Sequence, residues 1–560
     1  MEGVDAGEAL AATMAAADQP PLKKAKLSNG LFNLSPRSSP HSLEEVLQCL
    51  QDPTRRVVEV LKQRLPMWPW KPNTFCGRDW QEVWVTTSYS GIGFAEAAVA
   101  ELVREFAELG IELKVKFLSA CEIKGIPRQA LLKHKDDCGA PEHVFGDIMS
   151  QIPAELKNML VQRASTLREE VTAEVKARPE AGTRFRAGLI REKGQMFFQE
   201  MVGHLRGAVF ASTAWCFRHQ CECPLHIAPT VDRSAILFME IAGSTCVAWS
   251  SLGVGWGWLD ESSVPCLVWM FAMAAAKPDL ILHECTSRFN AKHFESAFGV
   301  THLIQTLTCS PSDWGIPVDR TRRYTLMVLR SRHHAAAESR AEQLRGLPGE
   351  LDEEPLVADG SYGVDSRRRQ PEGASIDGII FTLPVMKELF FAPLQLDSSV
   401  FLTASQEQVR KYYIKRLGNG VRGWIQVSAR DVICPSSQVH LDICKRLHRS
   451  GQLGRDIVSL SQSPLHHVLI KPSGCAPTLT RNSFLYSMLG RRLLLPAETL
   501  QMQGLPVPAM LPNSGLASRW PFACDLSDIM SESWEQSVIG NGMHVCQVGS
   551  AVLLALATLA

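Results

Sequence analysis

Apolar and polar residues alternate along the chain in short strand-like runs separated by amphipathic stretches. An apolar run over 83–85 predicts a buried strand, and a turn containing Gly91 and Gly93 follows it. The next residues place small and large apolar side chains on one helical face, and a second strand is predicted over 114–120. A helix over 127–135 then leads to a third short strand. This order of elements predicts the first half of a doubly wound α/β sheet.

The strand pattern returns after a long interruption. Further buried strands are predicted over 236–242, 279–283 and 324–329. The intervening segment from about 150 to 232 begins with a charged helix and ends in a run of cysteines and histidines. We therefore expect a helical, Cys-rich insertion between two halves of one sheet.

The first 41 residues are rich in Ala, Pro and Ser and show no sustained period, so we expect a disordered tail. Lys23, Lys24 and Lys26 form a short basic cluster of the kind that nuclear import receptors bind, which suggests the nucleus. A random polar tail contains such a cluster just as readily. Ser42 followed by Glu45 predicts a capping box, which begins a helical segment over 42–80.

Composition limits the classes of partner. The 560 residues are 45% hydrophobic, and Lys+Arg and Asp+Glu both number 58, so a nucleic acid would have to bind a local basic patch. Sixteen cysteines are too few for a disulfide scaffold and favour a reducing compartment. No apolar run reaches 18 residues, so no membrane partner is predicted, and the stretch over 545–560 is expected to be a buried helix.

One segment departs from this neutral balance. Residues 401–475 contain eleven Lys and Arg side chains against four Asp and Glu, a local charge of +7. Such an excess predicts a polyanion-binding face, although a solvated helix face gives the same count.

A second unusual segment is the cysteine run of the insertion. Cys216, His219, Cys221, Cys223 and His226 follow one another within eleven residues. A structural zinc site would use such ligands, and the weak candidates are Cys216, Cys221, Cys223 and His226. The spacing fits no established zinc pattern, so a loop of free thiols remains the alternative and no metal is predicted.

Reactive side chains follow successive predicted strands. Glu122 and Asp147 end the second and third strands, where carboxylates of a doubly wound sheet hold an adenosine-type cofactor. Cys246 follows the fourth strand in a loop of small residues, where a thiolate would be a nucleophile. Glu284 ends the fifth strand and Arg322 precedes the last. A thiol, a carboxyl and a guanidinium at neighbouring strand ends form a possible constellation for covalent catalysis.

This ordered set of motifs resembles the C5-cytosine DNA methyltransferase family. The resemblance covers about 85–330 and 475–560. It is carried by eight segments in the family's order: Thr87 to Gly93, Ala120 to Glu122, Gly146 to Ile148, Gly243 to Ser250, Glu284, Pro317 to Arg322, Arg492 to Pro506 with Pro496, Glu498, Gln503 and Gly504, and Val538 to Gly542.

The chain also departs from the family pattern. Thr245 replaces the proline before the nucleophile, and Val247 replaces the glutamine after it. Cys285 stands where the family has asparagine, Val318 where it has glutamine, and Leu495 where it has threonine. These positions mostly shape loops, so we expect the departures to affect catalytic efficiency more than the type of reaction.

The resemblance implies a Rossmann-like class I methyltransferase sheet, S-adenosyl-L-methionine as cofactor, and methylation of cytosine C5 in DNA by base flipping and a covalent cysteine adduct. Its implied catalytic residues are Cys246, Glu284, Arg322 and Arg320. Its implied cofactor-binding residues are Tyr89, Ser90, Gly91, Ile92, Gly93, Glu122, Ile123, Asp147, Ile148, Asn541 and Gly542. The residues expected to contact nucleic acid are Ser250, Arg410, Lys411, Lys415, Arg416 and Arg422.

The resemblance also implies a division of the chain. The catalytic domain would span 81–331, with the insertion over about 150–232, and would resume over 475–560. A smaller target-recognition domain would lie between them, over 332–474. Two other functions stay open at this point: the same chemistry on RNA such as tRNA, and a catalytically inactive nucleic-acid-binding relative.

Overall fold

The structure is a computed structural model that describes residues 34–64, 82–225, 234–250, 255–333, 383–417, 427–464, 474–481 and 483–559. The basic cluster of the N-terminal tail lies outside these residues. Everything described from Arg37 onward belongs to one compact unit.

A seven-stranded sheet forms the centre of this unit. Its spatial order is β3-β2-β1-β6-β7-β9-β8, and only β9 runs antiparallel to its neighbours. The seven strands are β1 (Glu82–Ser88), β2 (Val115–Cys121), β3 (His143–Phe145), β6 (Ile236–Gly243), β7 (Leu280–Thr286), β8 (His302–Cys309) and β9 (Arg322–Leu329). All but the last residue of β6 and of β7 is buried, which explains their mostly apolar sequences, because helices cover both faces of a parallel sheet. The predicted doubly wound α/β fold is confirmed.

The helices cover both faces of this sheet and build the smaller elements around it. In chain order they are α1 (Leu43–Leu47), α2 (Gln51–Arg64), α3 (Phe94–Glu108), α4 (Gly125–Leu131), α5 (Ala154–Ala177), α6 (Gly182–Arg206), α7 (Val264–Ala276), α8 (Glu295–Phe298), α9 (Leu383–Leu389), α10 (Gln406–Leu417), α11 (Ala429–Val432), α12 (Pro435–Arg449), α13 (Pro496–Gln501), α14 (Glu532–Asn541) and α15 (Val545–Thr558). The Ser42 hydroxyl accepts a hydrogen bond from Glu45 N (3.2 Å), as the capping pattern predicts.

The segment between β3 and β6 contains two long helices, α5 and α6, which pack against each other. A short antiparallel hairpin of β4 (Thr213–Cys216) and β5 (Cys221–Pro224) follows them. The apolar side of α6 joins the main core through Phe197, Phe198 and Met201. The insertion is therefore built onto the sheet rather than attached as a loose appendage.

A second, smaller hydrophobic core lies around α10, α11 and α12. It includes Tyr412, Tyr413 and Leu441, and it packs on a three-stranded sheet of β10 (Ile457–Ser459), β11 (Leu485–Ser487) and β12 (Arg492–Leu493). Because β11 and β12 come after residue 474, this core draws on residues beyond the predicted end of the recognition domain.

The last two helices are strongly apolar. Within the described residues, one helical stretch, Glu532–Thr558, is long and apolar enough to cross a membrane, and 94% of its apolar window is buried in this fold. Its second half, α15, packs against α3, α2 and β9. These contacts make α15 a core helix, as the sequence predicts for 545–560.

Candidate active site

The order of strands places a crevice between the carboxyl ends of β1 and β6. The chain leaves β1 toward β2 and β3 on one side and returns to β6 on the other. The loops that follow β1 and β6 therefore diverge at this point, and ligands of doubly wound sheets bind in such a crevice. Tyr89 to Gly93 follow β1, and Ser244 to Ser250 follow β6.

The loop after β1 is held in an unusual backbone conformation. Tyr89, Gly91 and Gly93 all have positive φ angles, of 58°, 59° and 94°. A Cβ atom on Gly93 would lie 2.3 Å from the ring of His134, so only glycine fits there. His134 Nε2 lies 2.7 Å from Ile92 O, which fixes the far side of the turn. A Cβ on Gly91 would meet no atom within 4 Å, so this part of the loop faces open space.

Glu122, at the end of β2, is fixed against this loop by the backbone. Gly91 N donates to Glu122 Oε2 (3.0 Å), and Lys124 N donates to Oε1 (2.8 Å). Burial raises the pKa of Glu122. The adjacent Ile123 is 59% exposed, which is unusual for a large apolar side chain.

Asp147 follows β3 and is also held at both oxygens. It accepts a hydrogen bond from Met149 N (2.9 Å) and pairs with Lys157 Nζ (3.0 Å), which comes from the first helix of the insertion. Ile148 is buried beside it. Both strand-end carboxylates therefore keep a defined orientation at one edge of the sheet.

Cys246 lies in the loop after β6 and is partly exposed. Its carbonyl oxygen accepts from Trp249 N (3.0 Å) and Ser250 N (2.8 Å), so the cysteine begins a tight turn. Ahead of it, the Ser244 hydroxyl lies 2.8 Å from His283 Nε2 of β7. This contact ties the start of the loop to the neighbouring strand.

Glu284 and Arg322 form an ion pair next to this loop. Arg322 Nε lies 2.9 Å from Glu284 Oε1, and the two side chains are 11% and 7% exposed. Glu284 is the register partner of Gly243, the last residue of β6. A Cβ on Gly243 would lie 3.5 Å from Glu284 Oε2 and only 2.4 Å from Met543 Cε. Glycine at this position therefore lets the acid, the cysteine loop and the C-terminal segment meet.

Arg320 has a different environment from Arg322. Its guanidinium is 1% exposed and donates to the carbonyl oxygens of Leu479 (2.9 Å), Gly540 (3.2 Å) and Gly542 (2.5 Å). Burial lowers its pKa to about 10. In this structure Arg320 therefore joins the chain before β9 to the end of α14, and its predicted catalytic role stays a prediction.

The C-terminal segment reaches the β1 loop through Gly542. A Cβ on this residue would lie 2.2 Å from the ring of Phe94, the first residue of α3. Asn541 beside it is exposed. The predicted last motif thus lies against the predicted first motif, although the two are far apart in the sequence.

The basic residues predicted to contact nucleic acid divide into two groups. Lys411 and Lys415 are exposed on α10, and Arg410 lies 3.3 Å from Glu407 of the same helix. Arg416 instead donates to the Tyr412 hydroxyl (3.2 Å) and to Glu532 of α14, so it holds α10 in place. Ser250 is partly buried, and Arg422 lies outside the described residues.

The weak metal candidates are partly brought together. Cys216 and Cys223 lie close to each other, but their neighbours are His143 and His219, two residues absent from the candidate set. Cys221 is exposed, and His226 lies outside the described residues. His143 gives no local signal because it starts a distant strand, and only the fold brings it to the hairpin.

No protein-family profile and no curated protein match the sequence. Solved structures do match. The S. pombe Dnmt2 methyltransferase is 13% identical with a TM-score of 0.35, over 85% of this chain and 98% of that chain. The Entamoeba histolytica methyltransferase EhMeth is 12% identical with a TM-score of 0.35, over 85% and 98%. A Spodoptera frugiperda DNMT2 variant is 10% identical with a TM-score of 0.35, over 85% and 100%.

Proposed function

We propose that this chain is an S-adenosyl-L-methionine-dependent DNA methyltransferase that modifies cytosine C5 through Cys246. The observation that carries the proposal is the Glu284–Arg322 ion pair beside Gly243, where the cysteine loop begins. An acid, a guanidinium and a partly exposed thiol at the switch point of a doubly wound sheet are the groups that this reaction needs. Nuclear localisation is part of the proposal and depends on the basic cluster in the tail.

The residues of the crevice fit the adenosyl part of the cofactor. Glu122 and Asp147 provide oriented acceptors at successive strand ends, and carboxylates at such positions suit ribose and amine groups. Ile123 offers an exposed apolar surface beside Glu122, where an aromatic base could lie. The open face at Gly91 leaves room for a ligand to approach the backbone. The cofactor would supply an electrophilic methyl group.

The proposed chemistry uses the other half of the crevice. The Cys246 sulfur would add to C6 of the cytosine, which makes C5 nucleophilic. Glu284 would hydrogen-bond N3 and the exocyclic amine, so that it stabilises the charge that develops on the ring. Arg322 would hold O2 and keep Glu284 oriented. Once C5 carries the methyl group, loss of its proton and of the thiolate restores the aromatic ring.

The target base has to leave its helix to reach these groups. A cytosine stacked in a duplex is closed to attack at C6, so the enzyme would flip it into the crevice. Lys411 and Lys415 are exposed on α10 and would contact phosphates during this step. We therefore expect DNA binding to weaken as the salt concentration rises.

The decisive experiment is trapping on 5-fluorocytosine DNA in the presence of the cofactor. Fluorine cannot leave C5, so an active thiol stays bound to the base and the complex survives a denaturing gel. We expect a trapped adduct with the wild-type chain and none with Cys246→Ala, while the variant still binds the cofactor in calorimetry.

Cys434→Ala is the matched control. Cys434 is exposed, and hydrogen bonding with Ser436 and Ser437 lowers its pKa to about 7, so among the described cysteines it is the thiol most prone to react nonspecifically. This variant should trap normally. An adduct that persists in Cys246→Ala would show that the nucleophile is another residue. A parallel reaction on 5-fluorocytosine-containing tRNA separates a DNA enzyme from an RNA enzyme, and no adduct on either would indicate an inactive binder.

A further inference from the structure

Four metal-binding side chains converge where the insertion meets the edge of the sheet. They are His143 at the start of β3, Cys216 at the end of β4, His219 in the hairpin turn and Cys223 in β5. The four ligand atoms all lie within 4.8 Å of one another. The residues come from two separate parts of the chain, and only the fold brings them together.

The two sulfur–nitrogen separations at His219 are those of a tetrahedral metal site. Cys216 Sγ lies 3.5 Å and Cys223 Sγ 3.4 Å from His219 Nδ1. With Zn–S bonds of about 2.3 Å and Zn–N bonds of about 2.0 Å, a tetrahedral site separates sulfur from nitrogen by about 3.5 Å. Two thiolates and two imidazoles are also a ligand set that selects zinc over magnesium or calcium.

The hairpin presents its three cysteines, Cys216, Cys221 and Cys223, from one face. Cys216 pairs with Cys221, and Ala214 pairs with Cys223. Paired residues, and residues two positions apart on one strand, point to the same side of a sheet, so all four side chains lie on one face of the hairpin. Cys216 and Cys223 are diagonal neighbours there, and both are buried. The backbone supports the arrangement, because Val144 N of β3 donates to Cys216 Sγ (3.4 Å), a contact that a thiolate ligand strengthens.

The hairpin is small and depends on contacts outside its own two strands, such as the hydrogen bond from Phe217 N to Val144 O (2.8 Å). Each strand has only four residues, and an isolated two-stranded hairpin is marginal in water. Trp215, which precedes Cys216 in β4, is 50% exposed and therefore contributes little to a hydrophobic core. A metal ion that joins the hairpin to β3 would add to these contacts.

We propose that His143, Cys216, His219 and Cys223 bind one structural zinc ion, which fastens the hairpin of the insertion to the β3 edge of the sheet. Four protein ligands leave no open position, so the site is structural rather than catalytic. Cys221, although its Sγ lies 3.8 Å from Cys223 Sγ, is not a ligand.

The test is metal analysis of the full chain, purified without a chelator or an affinity tag that binds metals. We expect one zinc per chain by mass spectrometry. After exchange with Co²⁺ we expect the visible absorption bands of a tetrahedral thiolate site. His219→Asn should lose the metal, and because His219 is exposed this change does not disturb the core. Cys223→Ser should also lose it.

Cys221→Ser and Cys434→Ser are the matched controls and should keep a full equivalent of zinc. A wild-type chain without zinc, or without cobalt bands after loading, overturns the site. Zinc retained in both His219→Asn and Cys223→Ser overturns it as well. Loss of zinc in Cys221→Ser would overturn the ligand set. Circular dichroism of the His219→Asn chain would test whether it is folded and so separate loss of metal from misfolding.

Discussion

Three carboxylates of the sheet differ in what holds them. Glu122, on the proposed cofactor side, is held by two backbone N–H groups. Glu284, on the proposed catalytic side, is paired with one guanidinium. Glu240, in the middle of β6, is buried with only neutral partners, among them Thr86 and Trp269 Nε1 (2.9 Å). Hydrogen bonds from backbone N–H groups do not depend on which side chains their residues have, whereas an ion pair with another side chain is lost when that one residue is substituted. The catalytic side should therefore be the more fragile half.

The largest effect should come from Arg322→Ala. This change leaves the buried Glu284 without its cation, which typically costs about 3–5 kcal/mol of unfolding free energy. Activity should fall by at least about 10²-fold, because a group oriented toward developing charge is lost. Denaturant unfolding and methylation assays measure the two effects.

The double variant Arg322→Ala with Glu284→Gln sharpens this prediction. It removes the unpaired charge as well, so most of the stability should return while activity stays absent. If Arg322→Ala alone is as stable as the wild type, the ion pair does not hold the catalytic side together.

Glu240 should give the next largest effect, and it depends on pH. Burial raises its pKa to about 7 from an unfolded value near 4.5. The protonated form therefore favours folding, and this contribution is present below about pH 4.5 and is lost as the pH rises through about 7. Glu240→Gln should stabilise the protein at pH 8 by up to about 3 kcal/mol and leave it unchanged near pH 4.5. Thermal unfolding across this range measures the difference, and an equal gain at both ends would contradict it.

Glu122→Gln should produce a smaller and more selective change. We expect about tenfold weaker cofactor binding, equivalent to about 1.4 kcal/mol, because one oriented acceptor is lost. The rate at saturating cofactor should be unaffected, since the catalytic side is intact. Calorimetry and steady-state kinetics separate the two. A loss of kcat with unchanged cofactor affinity would contradict this prediction, because it would mean that Glu122 acts in the reaction and not in cofactor binding.

The smallest effect is expected for Phe217→Leu in the hairpin turn. The Arg128 guanidinium lies 3.7 Å from the Phe217 ring centroid and donates to the carbonyl oxygens of Glu122 (3.2 Å) and Ile123 (3.0 Å). Losing this stacking should cost about 0.5–1 kcal/mol, which is a two- to fivefold loss of cofactor affinity. Zinc content should stay the same. Unchanged affinity would mean that the hairpin does not support the cofactor side.

The sequence predicts the parallel part of the sheet well, because buried strands such as β6 and β7 are mostly apolar, although each also contains a buried polar side chain such as Glu240 or His283. It does not predict β8, an edge strand with a mixed burial pattern, or the reversed direction of β9. Pairing direction depends on how the chain returns to the sheet, and this is a property of the whole fold.

The candidate site shows the same division. Loop positions such as Gly93 and Cys246 follow from local patterns, since a turn after a strand has few geometries. The separate roles of Arg320 and Arg322 do not, because both are arginines within three residues of each other. Arg320 is buried against carbonyl oxygens of the C-terminal part of the chain, those of Leu479 and Gly542, whereas Arg322 pairs with Glu284. These partners are far from both arginines in the sequence. Arg416 is similar, since its partner Glu532 comes from a distant helix.

The bonds of Arg320 have a consequence for synthesis in the cell. The ribosome makes Cys246, Glu284 and both arginines long before it makes Gly540 and Gly542, whose carbonyl oxygens accept hydrogen bonds from Arg320. Until Gly540 and Gly542 leave the exit tunnel, the Arg320 guanidinium lacks two of its three hydrogen-bond acceptors, and the crevice is open on one side. We therefore expect a chain that stops before Gly540 to lack the proposed methyltransferase activity.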